Sequence, residues 1–133
     1  MRHLILRSLA GTGVLLFGLA ANAQQYPPRP AYQYQQENRD PNAMFDRIQR
    51  DLDRVQSNAF PFSADRARIS RVREDITEVQ RAWNDGNLDR RALNDAIGAL
   101  QRVLDMNRLT DRNHDVVSYD LERLREFRNS QDY

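Results

Sequence analysis

Apolar residues recur at spacings of three and four in four successive segments between Met44 and Phe127. This is the period of an amphipathic α-helix, whose apolar face must be buried against another element. The sequence therefore predicts an all-α fold. The four apolar stripes are Met44, Ile48, Leu52, Val55; then Ile69, Val72, Ile76, Val79, Trp83; then Leu93, Ala96, Ile97, Leu100, Leu104; and finally Val117, Leu121, Leu124, Phe127.

Short breaks separate these segments, and each break carries residues that start or end helices. Asp40, Ser63, Asp89 and Thr110 (or its neighbour Asp111) can cap the helix that follows, while Gly86 suits the left-handed turn after a helix. Such short connections favour consecutive antiparallel neighbours. We expect a small up-down antiparallel bundle of four helices, or of three plus a loosely docked first helix.

The break before the second segment also predicts a local contact. Phe62 directly precedes the cap Ser63, and Ala67 follows four residues after that cap. This is the spacing of a hydrophobic staple, in which the residue before the cap packs on the first turn of the helix. We therefore expect Phe62 to pack on Ala67.

The start of the chain has the pattern of a secretory signal peptide. Arg2 and Arg7 precede an apolar run over residues 9–20, and Ala21-Asn22-Ala23 supplies small residues for a signal peptidase. The apolar run is shorter than the roughly 20 residues that a membrane-spanning helix needs. We expect residues 1–23 to be removed after Ala23 and the mature protein to be periplasmic or secreted, without stable membrane insertion.

The segment over residues 24–40 has a different composition from the rest of the chain. It is rich in Gln, Pro and Tyr, and Ala31 is its single aliphatic residue. A segment of this kind buries too little apolar surface to fold alone. It predicts a disordered arm, followed by a helical bundle over residues 41–129 and a short C-terminal tail over residues 130–133.

Charge and cysteine content limit the function classes. The chain has no cysteine, which excludes disulfides, thiolate metal sites and cysteine nucleophiles. Loss of Arg2 and Arg7 with the signal leaves 18 basic residues, all arginine, against 19 acidic ones. The two signs are interleaved, so no basic stripe forms and nucleic-acid binding is not expected.

One group of polar residues is a weak candidate for a metal site. Asp111, His114 and Asp115 share one side of the predicted fourth helix near its start. Tight transition-metal sites usually need a further ligand from another element. No haem pair is expected, since Met44 and His114 fall at opposite ends of an up-down bundle. The sequence thus predicts no cofactor and no catalytic site.

A short motif invites comparison with a known class of proteins. Leu109-Thr110-Asp111-Arg112-Asn113 resembles the Leu-Thr-x-x-Gln signature of small periplasmic helical chaperones of the Spy and CpxP kind, with Asn113 in place of the final Gln. Export, small size and the lack of cysteine fit the same family. The resemblance implies a periplasmic chaperone or stress adaptor.

These observations lead to one main functional hypothesis. The chain is expected to be a non-enzymatic envelope protein that acts through protein–protein interaction or self-association. The heptad-like seam of the second segment is the candidate interaction surface: Ile69, Val72, Ile76, Val79 and Trp83. The alternatives are the chaperone named above and a weak metal-binding protein.

Overall fold

A computed structural model describes residues 31–132, with the side chains of residues 35–132. Within this part of the chain all regular secondary structure is helical, which confirms the predicted all-α bundle. The helices are α1 (Ala31–Arg39), α2 (Pro41–Ser57), α3 (Ala64–Asn84), α4 (Arg90–Met106) and α5 (Asp111–Ser130). No helix between residues 31 and 132 has the length and apolar character needed to cross a bilayer.

Helices α2 to α5 form the up-down antiparallel bundle. Each of them packs against its neighbours in sequence, and α5 closes the ring by packing against α2. Helix α1 lies against α2. The first bundle helix is fully part of the core, because Met44, Phe45, Ile48 and Leu52 are almost completely buried. Of the two predicted arrangements, the four-helix bundle is therefore the one observed.

The helix starts follow the predicted caps. The side chains of Asp40, Ser63, Asp89 and Thr110 each accept a hydrogen bond from a backbone N–H in the first turn of α2, α3, α4 and α5, respectively. Gly86 has a positive φ of 72°, as predicted for the turn after α3. These local signals fix where each helix begins, and so they set the short loops that make neighbouring helices antiparallel.

The predicted boundary of the N-terminal arm needs a correction. Residues Ala31–Arg39 form helix α1, where the sequence predicted an irregular arm reaching Asp40. The remainder of the predicted arm, residues 24–30, and the predicted signal peptide, residues 1–23, lie outside the described residues. The composition of this segment provides too little apolar surface for it to fold alone. Ionic contacts with α2 and α5, described below, stabilise α1 instead.

The core is a single cluster built from the four predicted apolar stripes. Leu93, Leu100 and Leu124 are completely buried there. Burying one such side chain contributes about 1.5–3 kcal/mol to folding. Aromatic rings cover one end of the bundle: the ring of Phe127 lies edge-on to those of Phe45 and Trp83, with centroids 5.5 and 5.4 Å apart.

The predicted staple at the start of α3 is wrong. Phe62 is fully exposed and does not pack on Ala67, which is itself exposed. The reason is the backbone: Phe62 has φ 58°, in the left-handed region, and this conformation turns its side chain away from the bundle. The sequence spacing was right for a staple, but the turn geometry overrides it.

Candidate functional site: an apolar tip and a buried ionic cluster

The seam that the sequence offers for a partner lies inside this bundle. Ile69, Val72, Ile76 and Val79 are at most 1% exposed, and they pack in the common core. Trp83 is partly buried and packs against the same core. Unless the bundle opens, contact with a partner has to use other side chains.

The weak metal candidates lie on the surface at the start of α5. Asp111, His114 and Asp115 are exposed, and His114 Nδ1 lies 4.0 Å from an Asp115 carboxylate oxygen. Among residues 31–132, no group of three or more His, Cys, Asp or Glu side chains is arranged to hold a metal ion. These three residues therefore do not form a preorganised site.

Three large apolar side chains project from the opposite end of the bundle to the Phe127 cluster. Phe60 is 84% exposed, Phe62 is 104% exposed and Met106 is 57% exposed. Phe60 and Phe62 belong to the α2–α3 loop, and Met106 ends α4. We call these three residues the apolar tip. Two highly exposed phenylalanines separated by one residue are unusual on the surface of a small bundle.

A tight turn presents the two phenylalanines. The Ser63 N–H donates to the Phe60 carbonyl over 3.2 Å, which closes a four-residue turn with Pro61 second and Phe62 third. Proline second and a positive φ third define a type II turn, in which glycine is the favoured third residue. A side chain in the left-handed region costs about 1–2 kcal/mol. Backbone strain of this kind is found mainly where function retains it.

Hydrogen bonds join the start of α3, next to Phe60 and Phe62, to the α4–α5 loop that follows Met106. The Arg108 N–H donates to an Asp65 carboxylate oxygen, and Asn107 Nδ2 donates to the Asp65 carbonyl, both over 3.0 Å. Arg68 donates to Asn107 Oδ1 over 3.1 Å. Helix α3 thus holds the α4–α5 loop directly, which gives the tip a rigid base.

Arginines outnumber acids in the loops next to the apolar tip, and further acids follow within one helical turn. Residues 54–68 and 106–112 together contain five arginines and two aspartates, and Asp53 and Asp105 lie directly before these ranges. One of those aspartates, Asp65, is already paired with Arg68. An apolar centre with a basic border is complementary to an apolar pocket with an acidic rim.

A buried ionic cluster lies between α1, α2 and α5. At its centre the Arg47 guanidinium pairs with Glu37, with Asp120 and, at 3.4 Å, with Asp51. Asp120 is completely buried, and the other side chains of the cluster are no more than 11% exposed. Arg123 joins the cluster through Glu37 over 3.3 Å. We call these five residues the ionic cluster.

The charge state of Arg47 is fixed by its partners. Burial alone would lower the pKa of the Arg47 guanidinium, because burial disfavours the charged form. The hydrogen bond from Arg47 to Glu37 and the negative charges of Asp120 and Glu37 outweigh this effect, and the pKa lies above its ordinary value. The guanidinium also lies 4.8 Å from the ring centroid of Tyr119, a cation–π contact. Arg47 is a permanent cation in the interior.

Two further depressions on the bundle surface are polar. One of about 500 Å³ lies between α2 and α3 and includes Gln49 and Arg73; another of about 410 Å³ lies between α3 and α4 around Asp75. Burial, together with the charges of Asp95, Glu78 and Glu74, raises the pKa of Asp75, although Arg71 opposes the shift. Arginines and acids are mixed in both depressions, so neither forms an apolar ligand pocket.

The sequence is compatible with two roles for Phe60 and Phe62, covering the core or forming an apolar patch for a partner, and the structure leaves both exposed. The staple expected for Phe62 is not formed, and the ionic cluster was not predicted. For the ionic cluster, Arg47 and Asp51 at a spacing of four were a local signal. Glu37 and Asp120 left no such signal, because their proximity to Arg47 depends on the packing of three helices.

Comparisons of the chain with protein-family models, with curated proteins and with solved structures gave no match. The functional argument therefore depends on the geometry of the described residues.

Proposed function

We propose that this protein is an exported, non-enzymatic binding protein of the cell envelope, and that its apolar tip contacts another protein. The observation that carries the proposal is the Phe60-Pro61-Phe62 turn. It keeps two aromatic side chains in solvent, one of them in a strained backbone conformation. Aromatic side chains on a rigid support are the usual anchors of protein interfaces.

The chemistry of the apolar tip describes the partner surface. Phe60 and Phe62 need an apolar pocket, and burying each ring fully is worth about 1.5–3 kcal/mol. The surrounding arginines, such as Arg66 and Arg108, favour an acidic rim around that pocket. Two copies meeting tip to tip would bring like charges together, so this surface favours a different protein over a second copy.

The alternative function, a chaperone of the kind named above, has weaker support. A chaperone of unfolded clients needs an extended apolar surface. In the described part of the chain, the large apolar side chains that are exposed are confined to the apolar tip. The apolar tip is suited to a defined pocket on one partner rather than to unfolded clients of many different sequences.

A photocrosslinking experiment in the intact envelope tests the proposal. The photoreactive amino acid benzoylphenylalanine replaces Phe60, and the same amino acid at exposed Glu122 on α5 is the matched control. We expect one discrete protein adduct from position 60 and none from position 122. Added wild-type protein should suppress the adduct, whereas protein with both Phe60→Ser and Phe62→Ser should not.

Three outcomes would contradict the proposal. They are adducts of equal yield at both positions, adducts with lipid alone, and an adduct that the doubly substituted protein suppresses as well as the wild type does. The doubly substituted protein should remain folded, because neither side chain contributes to the core; circular dichroism checks this directly.

A further inference from the structure

Helix α1 is attached to the bundle through a carboxylate and two arginines. Among residues 35–39, Glu37 alone is buried. Its carboxylate accepts from Arg47 Nε and Nη2 on α2 and from Arg123 Nε on α5. Arg123 Nη2 also donates to Asn38 Oδ1 over 2.9 Å. Two adjacent residues of α1 are thus recognised by arginines of the bundle.

The ionic cluster does not need α1 for charge balance. With Glu37 in place it holds two arginines and three carboxylates. Without Glu37, Arg47 keeps Asp51 and Asp120, and Arg123 keeps its ion pair with Glu126 at the edge of the cluster. Removal of α1 would therefore leave no net charge in the cluster. Because uncompensated charge is what makes breaking a buried ion pair costly, this charge balance makes release of α1 feasible.

The cap of α2 uses its own side chain, although the Asp40 N–H also donates to the Gln36 carbonyl of α1 over 2.9 Å. Asp40 caps α2 by accepting from the Asn42 N–H over 3.0 Å, and Pro41 begins the helix without needing a hydrogen-bond partner. Asp40 is the single residue between the two helices. A polar cavity of about 270 Å³ remains beside the junction, lined by residues that include Gln36, Arg47 and Arg50. Helix α1 is therefore hinged at one residue and incompletely packed.

We propose that Arg47 and Arg123 form a binding site for an acidic segment of a protein partner, and that Glu37 of α1 is the built-in occupant that such a segment displaces. The fork of a guanidinium matches a carboxylate, so the site selects a Glu or Asp side chain. The contact of Arg123 with Asn38 adds a second acceptor on the neighbouring residue. This pair of acceptors fits a peptide segment better than a small carboxylate ion.

This site is separate from the apolar tip. Arg47 lies ten residues before the end of α2, which corresponds to about 15 Å along the helix axis. The inference therefore does not rest on the proposed function. The protein with Phe60→Ser and Phe62→Ser should therefore bind an acidic segment at Arg47 and Arg123 as the wild type does.

A peptide corresponding to residues 31–40, labelled with a fluorophore, is the probe, and fluorescence polarisation measures its binding to the full chain. Glu37→Arg places a third cation beside Arg47 and should expel α1. Gln35→Arg places the same side chain at an exposed position of α1 and is the control; it changes the charge by one unit, against two for Glu37→Arg. Because the docked α1 blocks most sites in the wild type, we expect the Glu37→Arg chain to bind the peptide at least tenfold more tightly than the wild type or the control.

Two further measurements define the specificity of binding. The peptide in which alanine replaces Glu37 should lose at least tenfold in affinity, and binding of the unchanged peptide should weaken as salt is raised. A result of equal binding to all chains, of no binding to the Glu37→Arg chain, or of equal binding by both peptides would overturn the proposal. Glu37→Ala serves as a milder variant if circular dichroism shows that Glu37→Arg unfolds the bundle.

Discussion

Arg47 on α2 and Asp120 on α5 form an ion pair across the seam where the last helix closes on the first helix of the bundle. Asp120 is completely buried, and Arg47 is almost so. Polar side chains also bridge α2 and α3, as where Gln56 donates to Ser70, whereas the contact between α2 and α5 contains the ionic cluster. An ion pair between residues 73 positions apart constrains how α5 can dock, because a buried charge tolerates few alternative partners.

The two partners of this ion pair should differ in their importance for stability. Arg47→Ala leaves Glu37, Asp51 and Asp120 with Arg123 as their cation within the ionic cluster. We expect a loss of about 3–5 kcal/mol, as for removal of one partner from a buried pair. Asp120→Asn keeps Arg47 paired with Glu37 and Asp51, and should cost about 1–3 kcal/mol. Urea unfolding followed by circular dichroism measures both.

Arg50→Ala is the matched control for Arg47→Ala, since Arg50 is exposed on the same helix. Its effect should stay within about 0.5 kcal/mol. A smaller loss for Arg47→Ala than for Asp120→Asn would show that the charge balance within the cluster does not determine its stability.

A second prediction concerns the seam of α3. Ile76 is completely buried within the single chain, so Ile76→Ala should lower the free energy of unfolding by about 2–5 kcal/mol. The solution mass from light scattering should not change with this substitution, because the side chain contacts its own bundle. Arg81→Ala, at an exposed position of the same helix, should affect neither quantity. A change of mass with Ile76→Ala would instead assign the seam to an interface.

The sequence was sufficient to predict the bundle because its information is local and repeated. Each stripe, such as Leu93 to Leu104, has helical spacing, and each cap, such as Ser63, acts within one turn. Helix α1 was not predicted because residues 35–39 depend on Arg47 and Arg123, and an isolated segment of that composition has no reason to fold. Long-range ionic contacts leave no periodic pattern.

The apolar tip shows a different limit of sequence reasoning. Phe62 has the spacing of a staple, and the preference for burying an aromatic ring supported that interpretation. Pro61 at the second position of a tight turn competes with the staple, and the structure shows that the turn prevails. The residue that we propose as a contact for a partner was therefore visible in the sequence but was assigned the wrong structural role.

A third prediction concerns pH. Burial and the surrounding acids raise the pKa of Asp75, so the folded chain holds a proton there more readily than the unfolded chain does. The contribution of Asp75 to the free energy of unfolding therefore falls as pH rises from the pKa of Asp75 in the unfolded chain through its raised pKa in the folded chain. Asp75→Asn removes the charge, and we expect it to stabilise the protein at pH 7 by less than about 1 kcal/mol, with no gain at pH 3.

Urea unfolding of the Asp75→Asn chain at both pH values measures this difference. Glu122→Gln is the control, because Glu122 is exposed and pairs with Arg125 over 2.6 Å. It should give no gain at pH 7. Equal effects of the two substitutions at pH 7 would indicate a general charge effect rather than the local surroundings of Asp75.

The last prediction separates stability from binding at Phe62. In the left-handed region glycine avoids the cost of about 1–2 kcal/mol that other residues bear. Glycine also gives the unfolded chain more freedom, which offsets about 0.4–1 kcal/mol of that gain. Because the Phe62 side chain contributes nothing to the core, Phe62→Gly should stabilise the fold by up to about 1 kcal/mol, measured as a higher urea midpoint.

The same substitution should weaken formation of the photocrosslinked adduct at position 60, because it removes one of the two aromatic anchors. Phe60→Gly is the matched comparison, added as an unlabelled competitor of the adduct at position 60: it should suppress the adduct less well than the wild type does, without the gain in stability, since Phe60 does not have a positive φ. A Phe62→Gly chain that is more stable but binds as well as the wild type would mean that the strain at Phe62 serves something other than the contact. A less stable one would mean that Phe62 has a structural role that its exposure does not reveal.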